Sequence, residues 1–158
     1  MTDDQNTLLQ SRLDKNLQYL KLPFIRDNYE KLAAQASQKH WPHVDLPDKL
    51  IDQEAAARRD RAIQRRIRLA RFPVIKTIDQ FNWTWPKKIN RLQIQNLLRL
   101  QFIKNRSNVL LLGGVGLGKT HLACALGYAA CLQCYTVLFA TAIDLINTLS
   151  AAKAAGQL

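Results

Sequence analysis

Long apolar runs are missing from this 158-residue chain. None approaches the roughly 20 residues that a membrane-spanning helix requires, so no membrane partner is expected. The amino terminus also lacks the basic-then-apolar pattern of a secretory leader, because Met1 is followed by Thr2, Asp3, Asp4 and Gln5. Cysteine is scarce, with only Cys124, Cys131 and Cys134. An odd number without a leader reads as free thiols in a cytoplasmic protein. Cys131 and Cys134 have C-x-x-C spacing, but no second pair or histidine cluster stands near enough in sequence to complete a metal site. His40 and His43 flank Trp41 in a proline-containing stretch and read as loop surface for the same reason.

Acidic residues are scarce in one stretch in particular. Residues 1–57 hold 7 basic and 9 acidic side chains, residues 58–106 hold 14 and 2, and residues 107–158 hold 2 and 1. The middle segment, at +12, therefore carries the whole basic character of a chain whose formal net charge is +11. Its densest part contains Arg58, Arg59, Arg61, Arg65, Arg66, Arg68 and Arg71, with Asp60 as the one acidic neighbour. A solvated helix normally alternates signs to gain i,i+4 pairs. Seven like charges oppose their own helix unless something neutralises them, and guanidinium groups match phosphate oxygens bidentately. Three readings follow: contact with a nucleic-acid backbone, an acidic protein or intramolecular partner, or a merely solvated face.

The strongest motif lies further on. Residues 109–112 are Val-Leu-Leu-Leu, and they run into Gly113, Gly114, Val115, Gly116, Leu117, Gly118, Lys119 and Thr120. This is G-x-x-x-x-G-K-[ST], the phosphate loop. Its glycines allow backbone N–H groups to approach phosphate oxygens and point inward. The helix that follows adds its unpaired N–H groups and the positive end of its dipole. Lys119 is the candidate for the β- and γ-phosphates of ATP, and the Thr120 hydroxyl is the candidate ligand for Mg²⁺.

In chain order the sequence opens with helices. Leu9, Leu13, Leu17 and Leu20 share a helical face that Pro23 brings to an end. A second helix is predicted over 24–37, with Ile25, Tyr29, Leu32 and Ala36 on one face. Asp45 is a candidate N-cap for a third helix that reaches Phe72, with Pro47 in its first turn. Residues 72–88 read as an ordered connection. Its Phe81, Trp83 and Trp85 would form either a stacking platform for bases or an anchor to the core. A helix over 90–103, a strand over 109–112, a helix over 120–132, a strand over 135–140 and a helix over 142–155 complete the pattern. Its fold class is α/β: a helical region over 1–71, then the first part of a three-layer αβα P-loop domain over 72–158.

Residues 70–83, Ala-Arg-Phe-Pro-Val-Ile-Lys-Thr-Ile-Asp-Gln-Phe-Asn-Trp, followed by the phosphate loop and Lys119-Thr120-His121-Leu122-Ala123, resemble the IstB-like family. These are AAA+ ATPases of insertion sequences that help a transposase and are related to the DnaC helicase loaders. The resemblance implies an AAA+ fold, ATP and Mg²⁺ as cofactors, and sequence-tolerant binding of duplex DNA by the arginine-rich helical region. It also implies self-association of the intact protein and a transposase partner. A helicase-loading role, or a DNA-binding fragment with a vestigial nucleotide site, is the alternative. The chain departs from such ATPases in one respect. No apolar strand ending in Asp-Asp or Asp-Glu is present to hold the Mg²⁺ shell and orient water. Leu50-Ile51-Asp52 and Ile143-Asp144 come nearest, and both lie in predicted helices. An amino-terminal part of a longer ATPase is therefore expected, one that binds ATP and hydrolyses it poorly.

Overall fold

The computed structural model describes residues 3–85 and 89–157. The last residues of the predicted connection, 86–88, lie outside them. Seven α-helices are present among the described residues: α1 (Asp3–Tyr19), α2 (Pro23–Gln38), α3 (Asp45–Leu69), α4 (Arg91–Leu97), α5 (Gln101–Lys104), α6 (Lys119–Leu132) and α7 (Ala142–Ala154). A 3-10 turn, Ile78–Gln80, precedes α4. The chain divides into two compact units, Met1–Arg61 and Ala62–Leu158.

Within the first unit, α1 and α2 pack together, with Leu17 buried. Leu9, Leu13 and Leu20, the other members of the predicted face, remain exposed. The turn between the helices is closed by Lys21 in the left-handed region, φ +56°, with Leu22 N–H donating to the Leu17 carbonyl at 2.9 Å. Helix α2 then begins with a poor cap, since Leu22 has no side-chain acceptor to offer its first N–H groups. Glu54 of α3 supplies one from a distance. Its Oε2 accepts from Phe24 N–H at 2.8 Å and Ile25 N–H at 3.2 Å, and its Oε1 accepts from Arg61 Nη2 at 2.9 Å. Glu54 is 3% exposed, so these bonds stand in for the water that its charge has lost. One turn further along, Arg58 Nη2 donates to the Lys21 carbonyl at 2.7 Å.

The second unit is built around α6, which buries Leu122, Cys124, Ala125, Leu126, Ala130 and Cys131. Cys131 joins Ile67 and Ala70 in one apolar cluster, with Phe72, Tyr128 and Val137 packed against it. Leu122 joins Phe81 and Ile94 in another, with Trp83, Leu97 and Leu111 against it. The predicted helix over 90–103 is broken in two, because Leu100 is fully buried in a left-handed conformation, φ +58°.

The αβα expectation is not met. All regular structure among the described residues is helical, and residues 109–112 and 135–140 form no strand. A strand exists through its ladder, and these extended segments do not pair with one another. Residues 135–140 are tied to the end of α3 instead, where Phe139 N–H donates to the Ala70 carbonyl at 2.7 Å. The apolar sequences call for burial, yet Leu110, Leu112 and Leu138 stay exposed.

Asp144 is a capping residue of α7. Its N–H donates to Thr141 Oγ1 at 3.1 Å, while its carboxylate accepts from Thr141 Oγ1 at 2.6 Å and Thr141 N–H at 3.3 Å. The Thr141 hydroxyl and N–H together hold the Asp144 carboxyl below its ordinary pKa. A depressed carboxylate stabilises the fold above its unfolded pKa and loses that contribution as pH falls through the folded value. The start of α7 should therefore fray in acid, with faster amide exchange at residues 144 and 145, and Asp144→Asn should abolish the pH dependence there.

The Glu54 arrangement predicts a second outcome. Glu54→Ala frees two helix-start N–H groups and should destabilise the chain by about 1–3 kcal/mol in urea unfolding. Arg65→Ala, which removes no partner of Glu54, should leave the midpoint within about 0.5 kcal/mol of the parent.

Candidate functional site

The loop of residues 113–120 leaves the extended segment 109–112 and ends in the first turn of α6. Gly116 and Gly118 adopt left-handed conformations, φ +79° and +78°. Gly118 is the N-cap of α6, and Leu122 N–H closes the first turn on the Gly118 carbonyl at 2.9 Å. A glycine N-cap has no side chain to occupy the leading N–H groups of the helix, and the first turn contains no acidic residue. An anion therefore meets unpaired donors and the positive end of a 14-residue dipole at this point. Lys119 Nζ donates to the Gly114 carbonyl, which folds the side chain back over the loop. Val115 at the tip and Thr120 on the helix are exposed. Beside the loop, a cavity of about 510 Å³ extends from Lys119 and Leu117 along Leu111 to Ile94, Gln93 and Asn90.

The connection that precedes α4 packs directly against this loop. The Phe81 ring is so close to Gly118 that an added Cβ would meet Phe81 Cε2 at 2.7 Å. Phe81 is buried and packs edge-on against Trp83 (5.0 Å between centroids) and His121 (5.2 Å). Arg91 lies over the Trp83 ring at 5.0 Å. Phe81 and Trp83 thus act as core anchors, whereas Trp85 is exposed. His121 Nε2 sits 2.9 Å from the Thr77 carbonyl, and because a carbonyl only accepts, Nε2 carries the proton.

The seven arginines do not share one environment. Arg58 and Arg61 are engaged with Lys21 and Glu54 inside the first unit. Arg66 is half-buried near Cys131, where its charge works against the upward push of burial on that thiol. Arg59, Arg65, Arg68 and Arg71 are exposed, and no ion pair is recorded for them among the described residues. Sequence reasoning missed the Glu54 clamp. Its signal is a helix that opens on Leu-Pro, without a cap of its own, together with Glu54, Arg58 and Arg61 at spacings of 4 and 3 on one later helix. Cys124 and Cys131 are buried and Cys134 is exposed, and no cluster of three or more His, Cys, Asp or Glu side chains suited to a metal is present among the described residues. No helix among them is long and apolar enough to cross a membrane.

Two observations here yield expectations. Burial raises the Cys124 and Cys131 thiols above their ordinary pKa, so only Cys134 should react promptly with a disulfide reagent in the native chain. Gly116→Ala meets open space and should carry only the left-handed penalty, about 1–2 kcal/mol. Gly118→Ala adds a collision with Phe81, so its unfolding midpoint should fall further than that of Gly116→Ala.

A family described as IstB-like ATP binding protein matches the chain over residues 15–158. A protein of Geobacillus stearothermophilus, named as an ATP-binding protein of insertion sequence IS5376, is 34% identical over 150 residues, covering 95% of this chain and 60% of the relative. One of Pseudomonas aeruginosa, named for insertion sequence IS21, is 36% identical over 146 residues, with 92% and 55% covered. One of Bacillus thuringiensis subsp. berliner, named for IS232, is 30% identical over 147 residues, with 93% and 59% covered. The chain thus spans 55–60% of the length of these three relatives.

Proposed function

This chain belongs to the IstB-like ATP binding protein family, and from that premise we propose that it binds Mg-ATP through residues 113–120 in the service of DNA transposition. The observation that carries the reading is the junction at Gly118: a left-handed glycine cap, the open start of α6 and Lys119 held over the same loop. The β- and γ-phosphates of ATP would draw Lys119 Nζ away from the Gly114 carbonyl, exchanging a neutral acceptor for a charged one. Backbone N–H groups of the loop and of the first turn of α6 would take the remaining phosphate oxygens. Mg²⁺ keeps several waters and phosphate oxygens in its shell, so one exposed protein hydroxyl, that of Thr120, fits it as the sole ligand from the loop. The metal would neutralise phosphate charge.

The proposed partner is duplex DNA, approached by the exposed arginines Arg59, Arg65, Arg68 and Arg71, with Arg58, Arg61 and Arg66 in supporting places. Exposed guanidinium groups without carboxylate partners support phosphate contact over base reading, and hence sequence-tolerant binding. For the whole protein the proposed role is delivery of a transposase, with self-association on the DNA, as the resemblance to helpers of transposition implies.

Titration calorimetry tests the nucleotide site. Lys119→Ala should lose most Mg-ATP affinity, and equal binding by parent and variant would refute the assignment. Fluorescence anisotropy on a labelled duplex tests the second site. Affinity should fall steeply with salt, and the combined Arg59, Arg65 and Arg68 to Ala variant should flatten that slope by about 3 in log–log terms. An affinity that does not change from low to physiological salt would remove the phosphate-contact reading.

A further inference from the structure

Phe81 and His121 belong to no motif of the phosphate loop, yet both touch it or its helix. From this we infer that they are positioning residues for nucleotide binding, an inference that rests on the reading of residues 113–120 as the nucleotide site. The contacts form a closed circuit. Gly118 meets the Phe81 ring, Phe81 N–H donates to the Ile78 carbonyl at 3.0 Å across the 3-10 turn, and Gln80 Oε1 accepts from Thr77 N–H at 3.2 Å. The Thr77 carbonyl then accepts from His121 Nε2 at 2.9 Å, and His121 stands three residues beyond Gly118 on α6. The Phe81 and His121 rings also meet edge to face, at 86° between planes.

This circuit acts on Gly118, a loop glycine whose backbone no side chain of its own restrains. Glycine gives Gly118 access to the left-handed region but also to many other conformations. The Phe81 ring occupies the space into which the cap would otherwise move. The His121 hydrogen bond fixes the rotation of the first turn of α6 against the same anchor. Donors that are already aimed need not be ordered when phosphate arrives, and affinity rises accordingly. Neither side chain needs to touch the nucleotide.

The test uses the full 158-residue chain with Mg-ATP as probe, comparing parent, His121→Ala, His121→Gln and Phe81→Leu. His121→Ala removes the bond to Thr77 and should weaken Mg-ATP binding roughly tenfold, the scale of one hydrogen bond held in a partly buried site. His121→Gln keeps an N–H donor and should recover most of that loss. Phe81→Leu keeps apolar bulk but loses the edge contact, and it should fall between parent and His121→Ala. Hydrogen exchange without nucleotide gives a second readout. Amides of residues 116–119 should exchange faster in His121→Ala and return toward the parent in His121→Gln. Unchanged affinity and unchanged loop exchange in His121→Ala would overturn the inference, as would a loss that follows the melting temperature and is not rescued by glutamine. If the parent itself does not bind Mg-ATP, the nucleotide reading falls, and the exchange data alone then decide whether His121 and Phe81 hold the loop.

Discussion

Helix α6 is wedged between two apolar clusters, and the position of everything near the candidate site follows from that. Leu122, near its start, closes the cluster of Phe81 and Ile94. Cys131, near its end, closes the cluster of Ile67 and Ala70. A fully buried aliphatic side chain contributes roughly 1.5–3 kcal/mol, so two separated anchors resist both sliding and tilting of the helix. The loop of residues 113–120 inherits this rigidity at its carboxy-terminal end, where Gly118 and Lys119 enter α6. Its tip at Gly116 has no neighbour within van der Waals distance of an added Cβ. A loop held at one end and open at the other can accept a ligand without disturbing the core.

The helices were legible because their signals are local. The 3.6-residue periodicity, Pro23 after the end of α1, and Asp45 and Pro47 in the first turn of α3 all act within about one turn of backbone. Helix ends were harder to read, since left-handed closures fall on Lys21, His40, Arg71, Arg106 and Cys134 as well as on Gly156. The break at Leu100 was invisible in sequence, because burial of one leucine outweighs the local preference for a continuous helix. The β assignments failed for a different reason. Val-Leu-Leu-Leu has the composition of a buried strand, but a strand takes its hydrogen bonds from a partner elsewhere, and composition cannot supply one. In the described residues no partner pairs with it.

The loop could be singled out in the sequence because its pattern specifies both residue types and spacing. What lay outside the motif was not legible. Glycine at 118 satisfies the phosphate-loop pattern, yet here it is also the residue that Phe81, 37 positions earlier, requires. The connection over 72–85 therefore does more than join two regions. Its Thr77 and Phe81 reach the first turn of α6, and those contacts could not be inferred from any period or spacing.

The arginines carry the same lesson into electrostatics. As a charge run they are uniform, and a polyanion is the simplest agent to neutralise them. Six of them lie on α3 and Arg71 just beyond its end, and they do not all answer to the same field. Arg61 compensates a buried carboxylate, so turning fully to an outside phosphate would leave Glu54 with only the Phe24 and Ile25 N–H donors. Arg66 and Arg68 lie in the last turn of α3 while Asp45 and Asp48 lie in its first, an order that matches the helix dipole and gains about 0.3–1 kcal/mol per charge. Part of the charge run is thus explained by the fold itself. Arg59, Arg65 and Arg71 fall outside both explanations: they are exposed, not in the last turn, and without a carboxylate partner among the described residues. Part of the run is employed by the fold, so the seven arginines do not count alike as charge free for an outside partner.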